Sequence, residues 1–121
     1  ACDFRFMRSD RGYFCFPEVD MSIPFLPGLL DVILKAMPKY RFNEMLLSGR
    51  RLSATELKDD KVIDQTFEGA DALLKGAIAY AKTFTKGRAI FAEHKRRFHK
   101  DAIDGLAEKN PPVIDAMKVL L

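Results

Sequence analysis

A single carboxylate, Glu18, stands at the end of the aromatic run from Tyr13 to Phe16 and directly follows Pro17. A carboxylate held against apolar side chains is poorly solvated, and desolvation disfavours its charged form, which suits proton transfer near neutral pH. Pro17 lacks a backbone N–H and therefore ends regular strand pairing. We expect Glu18 just past the end of a strand, as a candidate acid or base. The alternative, favoured by composition alone, is an ordinary surface glutamate in a turn.

Other residues with chemical potential form weaker patterns. His94 and His99 are five residues apart, so they do not share a helix face, and no metal site is expected. The basic run Lys95–Lys100 suits an anionic partner such as a phosphate, or equally a solvated helix face in which Glu93 and Arg97 pair one turn apart. The serines lack a histidine and an acid at convincing positions, so no nucleophilic triad is indicated.

The composition is that of one ordinary globular domain, with 121 residues, 48% hydrophobic and 31% charged. A net charge of +3 is too mild to indicate nucleic-acid binding. Cys2 and Cys15 have neither metal nor redox spacing, which favours a reducing compartment. No apolar run approaches the ~18–20 residues of a membrane helix. We therefore expect a soluble, intracellular protein, with peroxisome, mitochondrion and cytoplasm all open.

Short strands are predicted in the first half of the chain. The aromatic-rich runs Phe4–Met7 and Tyr13–Phe16 are separated by Ser9–Gly12, which predicts two strands joined by a tight turn with Gly12 at positive φ. The β-branched run Val62–Phe67 predicts one further strand. Because two or three strands do not make a stable sheet alone, this part of the chain needs further strands from elsewhere.

The remainder is predicted to be helical. A helix begins at Pro27, a second runs from about Tyr40 to Leu47 and stops at Gly49, and Ser53-Ala54-Thr55-Glu56 forms a capping box that starts a third. The remaining predicted helices are a segment from Gly69, a long charged helix from Gly87 to about Lys109, a break at Asn110-Pro111-Pro112, and a last helix from Val113 to Leu121.

Phe16-Pro17-Glu18-Val19-Asp20-Met21 resembles the P-E-V/I segment of the crotonase (enoyl-CoA hydratase/isomerase) superfamily. About thirty residues later, Leu46-Leu47-Ser48-Gly49-Arg50-Arg51-Leu52-Ser53-Ala54-Thr55-Glu56-Leu57 resembles its L-x-G-R-x-(I/L)-x-A-x-E-A segment. The opening Cys2–Arg5 is similar to the family's C-D-x-R strand, and Lys61–Asp64 to its G-L-V-D strand. Residues 1–67 carry the resemblance, and the tail from Gly69 is similar to the family only in its helical character.

The resemblance implies an α/β fold class, namely a partial crotonase fold. Residues 1–67 are interpreted as the C-terminal part of the crotonase core, the end of its spiral of ββα units. Residues 68–121 are interpreted as a mostly helical C-terminal region that mediates assembly into a trimer or hexamer. No cofactor is implied beyond the acyl-CoA substrate, whose thioester oxygen the family holds with two backbone N–H groups.

Within the family pattern, Glu18 falls on the glutamate that supplies the catalytic acid or base. Hydratases usually continue with L-G-x-x-P-G-x-G-G-T-Q-R-L, whereas here bulky apolar residues follow, which resembles the isomerase branch. The resemblance implies a Δ3-Δ2-enoyl-CoA isomerase of fatty-acid β-oxidation. The alternatives are an enoyl-CoA hydratase and a non-catalytic crotonase-like assembly module. The expected walls of the acyl pocket are Phe14, Phe16, Ile23, Phe25, Leu26 and Leu29.

The chain opens on strand-like sequence without an initiator methionine, which is typical of the middle of a longer protein. The family's oxyanion-hole donors and the second hydratase glutamate are expected before Ala1. The chain alone is therefore expected to be inactive and to need the N-terminal half of the domain as a partner.

Overall fold

The computed structural model describes residues 2–118, which divide into two compact units. Within the described residues, unit 1 comprises residues 2–23 and 36–85, and unit 2 comprises residues 24–35 and 86–118. The sequence predicts that the family core ends after residue 67. The division into two compact units does not test where that core ends, so this boundary stays a prediction.

Unit 1 contains a two-stranded parallel sheet. Strand β1 (Phe6–Arg8) pairs with strand β2 (Gln65–Phe67), and Phe6 lies opposite Gln65. Arg5 prolongs the pairing, because its backbone N–H donates to Asp64 Oδ2 at 2.7 Å and its carbonyl accepts from the Asp64 N–H at 2.8 Å. The two segments that resemble the C-D-x-R and G-L-V-D strands are thus joined directly.

The predicted hairpin is wrong. Gly12 does adopt positive φ (89°), but Phe14 does not pair with β1. It forms an isolated antiparallel bridge with Leu52, with N–H···O distances of 2.9 and 2.8 Å in the two directions. No strand forms over Tyr13–Phe16, and the single bridge at Phe14 is made to a residue almost forty positions away.

Three helices of unit 1 follow the local signals in the sequence. Helix α2 (Lys39–Ser48) ends at Gly49, whose φ is 65°. Helix α3 (Ala54–Asp59) starts with the predicted capping box, in which Ser53 Oγ accepts from the Glu56 N–H and Glu56 Oε2 accepts from the Ser53 N–H. Helix α4 (Ala70–Ala81) begins after Gly69. The bounds of α2 and α3 and the start of α4 are confirmed to within one residue, whereas α4 ends at Ala81, before Phe84, which was expected on its apolar face.

The core of unit 1 lies beside the helices α2 and α3. Its most buried side chains are Phe16, Met37, Phe42, Met45, Leu52, Ala54, Leu57, Val62 and Ile63. A second cluster joins the sheet to α4, where Phe6 packs edge-on against Phe67 and Tyr80 with ring centroids 6.1 and 5.3 Å apart. Gly76 makes this possible, because a Cβ there would overlap the Phe67 ring.

Unit 2 is helical. Helix α1 (Pro27–Leu34) begins at Pro27 as predicted, with Leu26 as its N-cap. The long helix predicted from Gly87 to Lys109 is instead α5 (Arg88–Phe98), α6 (Lys100–Asp104) and a π-helical turn (Gly105–Lys109). The interruption after α5 falls at His99, whose φ of −99° is not helical.

The predicted break at Asn110-Pro111-Pro112 is also wrong. Helix α7 spans Asn110–Lys118 and follows the π-helical turn without a gap. Pro111 and Pro112 follow directly on the π-helical turn, in which the Asn110 N–H donates back to the Gly105 carbonyl, and the helix continues through these two residues although they lack an N–H. Leu120 and Leu121, expected on the inward face of the last helix, lie outside the described residues.

The charged residues of α5 agree with the interpretation of the basic run as a solvated helix face, in which Glu93 and Arg97 pair. Glu93 Oε1 accepts from Arg97 Nε at 2.6 Å, as the one-turn spacing predicts, and the same carboxylate also accepts from Arg96. The bonds from Arg96 and then Arg97 lower the pKa of Glu93 to about 2.

Across residues 2–118, no helix combines the length and apolar character needed to cross a bilayer.

Candidate active site

Glu18 lies in a compact turn that spans Pro17 to Ile23. The Pro17 carbonyl accepts from the N–H groups of Asp20 and Met21, both at 3.0 Å. The Glu18 carbonyl accepts from the Ile23 N–H at 3.0 Å, and the Val19 carbonyl accepts from the Ser22 N–H at 3.4 Å. With Ser22 at a φ of 56°, this pair of bonds is the Schellman arrangement that usually terminates a helix. The backbone of Glu18 is therefore fixed by local hydrogen bonds.

The Glu18 carboxylate is half hidden in this turn. Its Oε2 is buried and accepts no hydrogen bond from any of the residues the structure describes. Most buried polar atoms in folded proteins are satisfied, and exceptions often mark sites of function. A carboxylate oxygen that no arginine, lysine or N–H group engages keeps its lone pairs for a proton from another molecule.

Three contacts attach the Glu18 segment to the α2–α3 region of unit 1. Phe14 makes its backbone bridge with Leu52, as described above. Phe16 stacks edge-on against Phe42 with ring centroids 5.1 Å apart. Further along, the Asp20 carboxylate lies against the α-carbon of Gly49. These contacts bring together the two motifs that carry the family resemblance.

The second motif holds its own shape with charged side chains. Arg50 donates to Glu44 Oε1 at 2.6 Å and to Glu56 Oε1 at 2.8 Å, and so bridges α2 and α3. Hydrogen bonds from Arg50 and then Arg41 lower the pKa of Glu44, while the bonds from Ser53 chiefly lower the pKa of Glu56. Both carboxyls are thus engaged in structural pairs, whereas Glu18 Oε2 accepts no hydrogen bond from the described residues.

The expected pocket residues fall in both units. In unit 1, Phe14 and Ile23 are about 40% and 38% exposed, whereas Phe16 is buried in the core. In unit 2, Leu26 caps α1, Leu29 lies in its first turn, and both are half-buried, as is Phe25. Within unit 1 the structure groups Glu18 with Phe14, Phe16 and Ile23 on one continuous segment. The role of all six as pocket walls stays a prediction.

Comparison with known proteins decides the family. The mitochondrial Delta(3,5)-Delta(2,4)-dienoyl-CoA isomerase of Mus musculus is 33% identical over 82 residues, which are 67% of this chain and 25% of that protein. The solved structure of EchA1_1 from Mycobacterium paratuberculosis matches with a TM-score of 0.74 and 24% identity, covering 98% of this chain and 47% of that one. No protein-family model matches the chain.

The chain belongs to the crotonase superfamily. It has a partial crotonase fold with a helical C-terminal region, as the sequence predicted. It spans about a quarter of the length of the curated relative and about half of the solved structure that it matches.

Other features of this crotonase chain do not add to the site. Among residues 2–118, no three histidine, cysteine or acidic side chains are grouped as metal ligands. A surface hollow of about 580 Å³ lies at the start of α4, lined by Arg8, Glu68, Asp71 and Lys75 among others, and Glu18 is not part of its lining. Its mixed charges favour no particular ligand.

The residues that hold the Glu18 turn were not predicted from the sequence. Asp20 and Ser22 carry no chemical signature of their own, and the local pattern around Gly49 predicts only the end of a helix. The crotonase motifs contained one usable signal, because Asp20 lies in the first motif and Gly49 in the second. A contact between the two motifs was therefore a reasonable hypothesis from the sequence.

Proposed function

We propose that the chain is the C-terminal half of an enoyl-CoA isomerase of fatty-acid β-oxidation, in which Glu18 shuttles the proton. The buried, unpartnered Oε2 of Glu18 at the end of an aromatic segment is the observation that carries this proposal. A relative that is 33% identical over 82 residues is named a dienoyl-CoA isomerase. This name supports the reaction class, because double-bond migration in an acyl-CoA is a proton transfer.

In the proposed reaction, the Glu18 carboxylate removes a proton from C2 of a 3-enoyl-CoA. The C–H electron pair becomes the C2–C3 double bond of the product, and the electrons of the C3–C4 double bond take up the same proton at C4. Negative charge develops on the thioester oxygen in between, and two fixed backbone N–H groups stabilise it. We propose that these donors belong to the part of the crotonase fold that precedes the segment carrying Glu18.

The acyl chain needs an apolar surface beside Glu18. We propose that Phe14 and Ile23 of unit 1 provide it, with Phe16 supporting Phe14 from the core through a ring contact at 5.1 Å. For unit 2, the proposal that Phe25, Leu26 and Leu29 contact the acyl chain rests on the sequence alone. The acyl-CoA is then the substrate, and no further cofactor takes part. The helical region from residue 68 onward is proposed to assemble the enzyme into a trimer or hexamer.

Two alternatives remain distinct from this proposal. An enoyl-CoA hydratase adds water to a 2-enoyl-CoA and needs a second carboxylate, and the bulky residues that follow Met21 depart from the hydratase pattern. A non-catalytic assembly module needs no free carboxylate, and the unpartnered Glu18 oxygen disfavours it.

The decisive experiment replaces Glu18 by glutamine in the complete protein. Glu18→Gln keeps the size of the side chain and removes its ability to accept a proton at neutral pH. We expect kcat on a 3-enoyl-CoA to fall ~10²–10⁴-fold while KM changes little. Glu68→Gln, the same change at an exposed glutamate, is the matched control and is expected to keep full activity.

Two further measurements separate the alternatives. A substrate deuterated at C2 is expected to deliver part of its label to C4, which a shuttle requires and a hydratase does not produce. The 121-residue chain alone is expected to show no turnover. Equal activity of Glu18→Gln and Glu68→Gln would refute the shuttle, and turnover by the isolated chain would refute the half-domain proposal.

A further inference from the structure

The backbone of unit 1 links Asp20 to the proposed catalytic carboxylate through very few bonds. Asp20 is two residues after Glu18, and its N–H closes the first bond of the turn at the Pro17 carbonyl, 3.0 Å away. Glu18 and Ile23 close the last bond of the same turn. Any displacement of Asp20 therefore moves the backbone from which the Glu18 side chain projects.

Gly49 is needed at its position for two separate reasons. Its φ of 65° ends α2 in the left-handed region, where glycine is favoured, and its N–H donates to the Met45 carbonyl at 2.9 Å. In addition, a Cβ at this position would overlap Asp20 Oδ2 and lie 3.1 Å from Asp20 Cγ. The missing side chain of Gly49 thus provides the space in which the Asp20 carboxylate lies.

The other glycines with positive φ do not combine these features. Gly12 has a φ of 89° and Gly69 a φ of 82°, but a Cβ on either would meet nothing within 4 Å. Among the glycines of residues 2–118, the coincidence of a left-handed backbone with a close carboxylate is confined to Gly49. It lies where the second family motif meets the first.

We propose that Asp20 and Gly49 are positioning residues for Glu18. The Asp20 carboxylate packs on the bare α-carbon of Gly49, and this contact fixes the height of the Pro17–Ile23 turn above the end of α2. Neither residue touches the substrate in this proposal. Their effect on catalysis is transmitted through the turn, and in this respect the inference rests on the proposed function of Glu18.

The test compares Gly49→Ala with Gly12→Ala in the complete protein. Both substitutions place an alanine at positive φ, so both carry the same type of backbone strain, but only Gly49→Ala displaces the Asp20 carboxylate. We expect kcat on a 3-enoyl-CoA to fall at least about tenfold further in Gly49→Ala than in Gly12→Ala, with KM unchanged. Thermal unfolding of both variants establishes that each is folded at the assay temperature.

Two variants of Asp20 examine the contact itself. Asp20→Asn keeps the shape of the side chain and is expected to retain most of kcat. In an Asp20→Ala background, which removes the atoms that collide with the new Cβ, Gly49→Ala is expected to cost several-fold less than it does in the wild type. An equal loss in both backgrounds, or equal losses for Gly49→Ala and Gly12→Ala, would overturn the proposal.

A readout without substrate keeps this inference separate from the proposed function. The ¹³Cδ resonance of Glu18, assigned by its disappearance in Glu18→Gln, is expected to shift in Gly49→Ala and to stay in place in Gly12→Ala. If the wild-type protein turns over no enoyl-CoA but the resonance shifts, the proposed function fails and the positioning contact stands. If the resonance is the same in all three proteins, the positioning contact fails.

Discussion

The side-chain Oδ1 of Asn110 accepts a hydrogen bond from the backbone N–H of Gly28 at 2.8 Å, and Asn110 is only 6% exposed. Gly28 is the second residue of α1, one of the positions whose N–H groups have no partner within the helix. Within unit 2, the first residue of α7 therefore provides a hydrogen-bond acceptor for the first turn of α1, although Asn110 and Gly28 are 82 positions apart in the sequence.

This bond predicts that Asn110→Ala destabilises unit 2. The substitution leaves a buried N–H without a partner, which costs ~1–3 kcal/mol. Amide exchange at Gly28, followed by NMR, is expected to accelerate accordingly. Asn43→Ala, the same change on an exposed face of α2, is expected to alter stability by no more than about 0.5 kcal/mol. Unchanged protection of Gly28 in Asn110→Ala would contradict the assignment of this bond.

Gly28 is also the point at which α1 approaches the π-helical turn. A Cβ on Gly28 would lie 2.5 Å from the Leu106 nitrogen and 2.7 Å from the Gly105 carbonyl carbon, both of which are backbone atoms. We expect Gly28→Ala to lower the free energy of unfolding by ~1–3 kcal/mol, because the backbone must move to make room. Gly87→Ala, where a Cβ meets nothing within 4 Å, is the control for urea denaturation and should cost clearly less.

Ser22 holds a left-handed conformation without being a glycine. Its φ of 56° costs an L-residue ~1–2 kcal/mol, and the hydratase pattern quoted above begins L-G where this chain has Met21-Ser22. We expect Ser22→Gly to stabilise the protein by ~0.5–1 kcal/mol, measured as a higher urea midpoint. Ser9→Gly, at an exposed bend, is expected to lower the midpoint instead. A lower midpoint for Ser22→Gly would show that the turn does not strain Ser22.

The Arg50 bridge predicts a defined response to acid. The pKa of Glu44 is lowered in the folded protein, first by Arg50 and then by Arg41. A carboxyl of this kind adds stability above its ordinary pKa, and the contribution is lost as the pH falls through its folded value. Arg50→Gln removes the chief cause of the shift, so it should lower Tm at pH 7, and the difference from the wild type should shrink as the pH falls through the lowered pKa of Glu44.

Arg11→Gln is the control for that measurement, since it removes the same charge outside the network. Its Tm difference from the wild type is expected to be small and to vary little between pH 7 and pH 3. A Tm difference for Arg50→Gln that stays constant over this range would indicate that Arg50 acts through packing of its alkyl chain and not through Glu44.

The elements that the sequence predicted well are those determined by neighbouring residues. The capping box at Ser53, the start of α1 at Pro27 and the left-handed end of α2 at Gly49 each depend on a few adjacent positions. Strand pairing does not, and so Tyr13–Phe16 was assigned to the nearest extended segment, although Phe14 pairs with Leu52. The prolines at 111 and 112 gave a misleading signal, because the helix continues through them directly after a π-helical turn.

The candidate site shows the same division. Glu18 was identified from its aromatic neighbours and from a motif, both of which are local patterns. The burial of its Oε2 and the contact between Asp20 and Gly49 depend on how the chain returns to the same place some thirty residues later. No periodicity or spacing encodes that return.

The parallel pairing of β1 with β2 has a consequence for biosynthesis. The two strands are 59 positions apart, as Phe6 and Gln65 show. At a translation rate of ~5–20 residues per second, β1 leaves the ribosome roughly 3–12 seconds before β2 does. Throughout that interval Phe4 and Phe6 have neither their partner strand nor Tyr80 to cover them. The nascent chain therefore presents an exposed aromatic segment, and ribosome-associated chaperones are expected to bind it until α4 has been synthesised.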